Sequence, residues 1–211
     1  MLARPHRFRH FFAHRAGAAV LAVLLGMAAT MPAMAIDARR PSADIIPIRA
    51  EVTPPPGAQG ICATYDWACA KSNRTILVDD ALMQTVRTVN SRANRSIRPI
   101  SDLNQYRIME RWSLPTARGG DCEDYALYKK RELIRVGIPA EQLLIAVVLD
   151  RKRQPHAVLI LRTGTQDLVL DNMNSRILPW QKTGYTFLRL QDPRQPSRWV
   201  SVMAGGILPN S

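Results

Sequence analysis

With 211 residues, 29 Lys and Arg against 17 Asp and Glu, and 46% hydrophobic residues, the chain has the composition of a globular protein. It is long enough for one ordinary domain with a full core and too short for two comfortable ones. The formal net charge of +12 comes from scattered rather than clustered basic residues, so a solvated surface is expected and no nucleic-acid partner.

The first feature is a leader. Arg4, Arg7, Arg9 and Arg15 precede an uncharged stretch, Ala16 to Ala35, whose apolar heart is Ala18-Ala-Val-Leu-Ala-Val-Leu-Leu25. This charge-then-apolar layout is that of a signal peptide, and Ala33-Met34-Ala35 supplies the small-x-small triplet a signal peptidase accepts. The strongly apolar core is shorter than the roughly 20 residues that span a bilayer. Residues 1–35 are therefore expected to be removed after Ala35, leaving a periplasmic or secreted chain. Removing four arginines leaves 25 basic residues against 17 acidic, a net charge of +8. Such a product meets acidic proteins, anionic envelope polymers or membrane surfaces.

Residues 36–60 are rich in proline and charge without sustained periodicity, and read as an extended lead-in to a domain over 61–211. Cys62 and Cys69 flank a short loop just inside it. In an oxidising compartment a disulfide between them is expected, which leaves Cys122 as the odd thiol. Leu77, Leu82, Val86 and Val89 fall at helical intervals and predict a helix over 75–94, whereas 95–106, with Pro99 and Ser101-Asp102, reads as irregular. Arg118-Gly-Gly-Asp121 is a turn leading into the best helix of the sequence, Cys122 to Val136, which Gly137 and Pro139 stop. Cys122, Ala126, Leu133 and Val136 lie on one stripe of it. Beyond it, 143–149, 156–162, 167–171, 185–190 and 199–203 are β-prone runs separated by turn residues, so the fold expected is α+β with an antiparallel sheet.

Cys122 occupies a first helical turn, where unpaired N–H groups and the helix dipole favour a thiolate. His156 opens one β-run and Asp171 closes the next. A two-residue turn at Thr163-Gly164 sets His156 directly opposite Asp171. A four-residue loop sets it opposite Met173, with Asp171 diagonal on the same face, within roughly 7–8 Å. In either register imidazole and carboxylate can meet. Each residue alone has a bland reading: a buried small thiol, a satisfied strand histidine, a turn former. Taken together they form a nucleophile, a base and an orienting group. His6, His10 and His14 belong to the leader, so the mature domain keeps His156 alone, which excludes multi-histidine metal sites. Trp112 is read either as a cleft or a core residue, and Asn172 as capping a turn.

Gly119-Gly-Asp-Cys-Glu-Asp-Tyr-Ala126, His156-Ala-Val-Leu159 and Leu170-Asp-Asn172 resemble the bacterial transglutaminase-like cysteine proteinases, the family that includes the LapG-like periplasmic proteases, over about Arg74 to Val202. The resemblance implies a papain/transglutaminase-like fold, with the nucleophile helix packed on an antiparallel sheet. It also implies peptide hydrolysis by Cys122, His156 and Asp171. Transglutaminase-type acyl transfer, amide hydrolysis in envelope polymers and a catalytically silent calcium-dependent binding module are the alternatives.

Asp121, Glu123 and Asp124 crowd negative charge around the thiol and would raise its pKa. They either complement the helix N-terminus or hold a hard cation through oxygen ligands. The resemblance implies calcium here. It further implies a protein substrate, a cell-surface adhesin of biofilms, and control by an inner-membrane regulatory receptor. The enzyme itself is expected to be a monomer.

Overall fold

The computed structural model describes residues 44–208. The leader, its cleavage point after Ala35 and residues 36–43 of the expected lead-in lie outside these.

Seven strands form one antiparallel sheet: β1 (Glu51–Val52), β2 (Leu143–Leu149), β3 (Pro155–Arg162), β4 (Asp167–Leu170), β5 (Leu178–Pro179), β6 (Thr186–Asp192) and β7 (Gln195–Ala204), in the order β1-β7-β6-β2-β3-β4-β5. Among the described residues four α-helices precede β2: α1 (Ile61–Thr64), α2 (Asp80–Ser96), α3 (Asp102–Tyr106) and α4 (Cys122–Arg135). The five expected β-runs are all strands, and the two-residue edge strands β1 and β5 are additions. Strand β2, Leu-Leu-Ile-Ala-Val-Val-Leu, is an apolar run because both its faces are covered. Leu127 and Leu133 of α4 pack with Leu143, Ile145, Leu159 and Leu161 on one face. Val158, Ile160, Phe187 and Trp180 pack on the other.

Helix α2 starts five residues later than its apolar spacing indicates. Asp79 caps it, its side chain accepting from the Leu82 N–H at 2.8 Å, a cap worth about 1 kcal/mol. The preceding Ile76 is held extended by the Gln142 side chain, which accepts from its N–H (2.8 Å) and donates to its carbonyl (3.1 Å). Within the stretch expected to be irregular, Ser101 caps the short α3. Helix α4 ends at Arg135, so Val136 leaves the buried stripe and is 48% exposed.

Residues ahead of Ile61 join the body. Ile46 is buried and donates its N–H to the Asp167 carboxylate at 2.9 Å, and β1 pairs with β7. Cys62 and Cys69 are disulfide-bonded, with Cα atoms 5.5 Å apart. Trp112 is a core residue, edge-on to Trp199 at 5.7 Å.

Candidate active site

The cysteine is presented by a loop that only glycine permits. Gly119 has φ +120°, and a Cβ there would lie 1.8 Å from the Arg98 carbonyl oxygen. A Cβ on Gly120 would lie 2.5 Å from Asp124 Oδ2. Without side chains this segment packs flat on residues 98–100, with Gly120 N–H donating to Arg98 (3.0 Å) and Ile100 N–H to Gly120 (3.1 Å). Cys122 then opens α4 as the free cysteine, half-buried.

The β3–β4 hairpin takes the longer of the two loops weighed above. The last pair is Arg162 opposite Asp167, and their side chains form a two-bond ion pair at 2.6 and 2.9 Å. In this register Val158, Ile160 and Val169 share one face, and alternation carries His156 and Asp171 onto it. His156 Nε2 lies 2.9 Å from Asp171 Oδ1, with the two side chains only 6% and 5% exposed. Because the carboxylate accepts only, Nε2 carries the proton and the neutral ring keeps its lone pair on Nδ1.

Three further residues, Tyr185, Asn94 and Met173, hold Asp171. The Tyr185 hydroxyl donates to Oδ2 at 2.5 Å, its ring standing edge-on to His156 at 5.9 Å. Asn94, on α2, donates to the Asp171 main-chain oxygen at 2.8 Å. Burial pushes the Asp171 carboxyl up, but the hydrogen bonds from His156, Tyr185 and the Met173 N–H outweigh it and hold the group below its ordinary value. Asn172, beside it, has a buried Oδ1 without a partner among the described residues.

Helix α4, which Cys122 opens, packs on β3, which bears His156. The thiol itself donates to Glu123 Oε2 at 3.2 Å. Burial, then the charge of Glu123, push the thiol well above its ordinary pKa, while the Ala157 N–H opposes them. Burial and Asp121 raise Glu123 to about 9.

Carboxylate oxygens of Asp102, Asp121 and Glu123 all lie within 4.8 Å of one another. Asp121 Oδ2 accepts from the Asp102 N–H at 3.0 Å, and its Oδ1 is buried without a partner among the described residues. Three hard oxygen donors and an unmatched carboxylate oxygen suit a cation such as calcium. Asp124, expected with Asp121 and Glu123, falls outside this cluster, and its Oδ2 is buried without a partner among the described residues. Consecutive helical residues differ by about 100° in direction, and Asp124 turns inward to accept from Ser113 N–H at 2.9 Å. Asp102 replaces it in the cluster, brought there by α3.

Residues 48–206 match the sequence model of a family described as bacterial transglutaminase-like cysteine proteinase. Among curated proteins nothing matches the chain. Three solved structures of Legionella pneumophila LapG are similar to it. The calcium-bound form is 26% identical over 63% of this chain and 71% of that one, with a TM-score of 0.47. A second structure is 22% identical over 63% and 78%, with a TM-score of 0.43. The EGTA-treated form is 21% identical over 67% and 83%, with a TM-score of 0.45.

Proposed function

The chain belongs to the bacterial transglutaminase-like cysteine proteinases and is a cysteine peptidase, and from that premise we propose that Cys122 is its nucleophile, His156 its general base and Asp171 the carboxylate that orients the imidazole. The observation that carries this reading is the buried 2.9 Å contact between His156 and Asp171, with the helix that Cys122 opens packed on the strand that bears His156.

Asp171 holds the Nε2–H tautomer, so Nδ1 takes the thiol proton as sulfur attacks the substrate carbonyl carbon. The negative charge then passes to the carbonyl oxygen, where the Cys122 N–H, unpaired at the start of α4, can donate to it. Collapse breaks the C–N bond, and His156 returns the proton to the departing amine. Water, deprotonated by His156 in turn, releases the acyl group from sulfur. Tyr185 and Asn94 keep Asp171 in place throughout.

The acidic cluster supports a calcium site formed by Asp102, Asp121 and Glu123. Calcium bound there would supply positive charge against the carboxylates that disfavour the thiolate. The leader and the Cys62–Cys69 disulfide support export to an oxidising compartment. A cell-surface adhesin as substrate, an inner-membrane receptor as regulator and a monomeric state rest on family analogy.

The test is product analysis. Residues 36–211 are incubated with calcium, a protein substrate and excess primary amine. Free carboxyl and amino termini support hydrolysis, whereas amine-capped termini as the main product would replace it with acyl transfer.

A further inference from the structure

Residues 111–114 carry no helix or strand, so hydrogen bonds and the buried Trp112 side chain set their place. Their N–H groups reach three different parts of the molecule. Arg111 N–H donates to Asp102 Oδ2, in the acidic cluster. Ser113 N–H donates to Asp124 Oδ1 at 2.9 Å, in the first turn of α4. Leu114 N–H donates to the Tyr65 hydroxyl at 3.0 Å. The segment thus ties the acidic cluster and the start of the nucleophile helix to Tyr65.

Tyr65 lies inside the loop that the Cys62–Cys69 disulfide closes. Its N–H donates to the Ile61 carbonyl at 2.7 Å, its carbonyl accepts from Ala68 N–H at 2.9 Å, and its ring packs on Trp67 at 5.5 Å. The closed loop therefore holds the hydroxyl that Leu114 meets. Breaking the disulfide loosens this loop without unfolding it, because Ile61 and Ala68 stay buried. Trp112 likewise anchors 111–114 from the core side, edge-on to Trp199. The effect passed on to Asp102 is accordingly a small factor.

Cys62 and Cys69 are each half-buried, within reach of a small dithiol. One thiolate of the reductant attacks a sulfur of the pair and breaks the S–S bond, and its second thiol resolves the mixed disulfide. The reductant leaves as a cyclic disulfide. Cys62 and Cys69 are left as thiols, having gained two electrons and two protons.

We propose that the Cys62–Cys69 disulfide is a redox lock on the calcium site, acting through Tyr65 and residues 111–114. The oxidised loop holds Asp102 in place for calcium, and reduction weakens calcium binding. The proposal rests on the calcium reading above and adds its regulation. Because linkage is reciprocal, calcium makes the disulfide harder to reduce by the same factor.

The experiment uses residues 36–211 carrying Cys122→Ala, so that Cys62 and Cys69 are the only cysteines. Calcium affinity is measured by isothermal titration calorimetry on the oxidised protein and in excess dithiothreitol, with circular dichroism to confirm that each form is folded. Coupling at the lower end of the usual range raises the calcium Kd about five-fold on reduction. The equilibrium constant for reduction by dithiothreitol falls about five-fold in saturating calcium. Tyr65→Phe removes the hydroxyl and keeps ring and disulfide. It should bind calcium about five-fold more weakly when oxidised, and reduction should then add little. Equal calcium affinity in both redox states of the folded protein overturns the lock and leaves the calcium site standing. Parent-like affinity in oxidised Tyr65→Phe overturns the route through Tyr65, even where the reduced chain does not fold. No calcium binding by the oxidised parent overturns the calcium reading, and the lock falls with it.

Discussion

Replacing Tyr185 by Phe removes one oxygen and leaves the ring that stands edge-on to His156. The lost bond is the 2.5 Å donation to Asp171 Oδ2, a charge-assisted hydrogen bond to a carboxylate whose side chain is 5% exposed. Such bonds contribute about 1.5–3 kcal/mol. Without it Asp171 loses one of the bonds that fix its orientation toward His156, so the imidazolium that would pair with the Cys122 thiolate is held less well. At about 1.4 kcal/mol per tenfold, full transmission slows reaction by roughly 10- to 100-fold. The assay is iodoacetamide alkylation of Cys122 at neutral pH in calcium, followed by peptide mapping, which needs no known substrate. Thermal unfolding measured alongside separates this effect from loss of fold. A Tyr185→Phe protein that alkylates within about two-fold of the parent would refute the chain of support from Tyr185 through Asp171 to the thiol.

Two other outcomes separate structural from functional roles near the cysteine. Calcium at a hundred times its dissociation constant should stabilise the protein by about 2.7 kcal/mol, and Asp102→Asn should abolish that gain. Asp124→Asn should instead lower stability through Ser113 while leaving the calcium response, and the reverse pattern would reject the ligand set. Gly119→Ala, which forces a Cβ into the Arg98 carbonyl at φ +120°, should cost about 2–4 kcal/mol. A Tm unchanged by differential scanning calorimetry would show that the loop has freedom not accounted for.

The pairing of His156 with Asp171 was legible because of parity. Both hairpin loops leave the two residues on one face, so the contact did not depend on choosing the four-residue loop. Cys122 was legible from the glycines before it and the stop signals after its helix. Asp102 was not, because its tie to Asp121 spans 19 residues and depends on where the short α3 comes to rest. Tyr185 looked like an ordinary aromatic at the start of a strand run. Its role follows from β6 pairing with β2, which pairs with β3, and a single sequence does not encode strand order locally. Asp124 stands outside the acidic cluster, and a run of acids around a cysteine gives no sign of which side chain turns inward. Burial of Ile46 likewise follows from the distant Asp167 carboxylate rather than from anything in residues 36–60.

The most direct measurement compares residues 36–211 with their Cys122→Ala variant on one cleavable protein in calcium, with circular dichroism and thermal melts run alongside. Removing the nucleophile of a covalent mechanism costs about 10³-fold or more. The account predicts that hydrolysis disappears while the fold and its melting persist. A folded Cys122→Ala protein that still cleaves would contradict it.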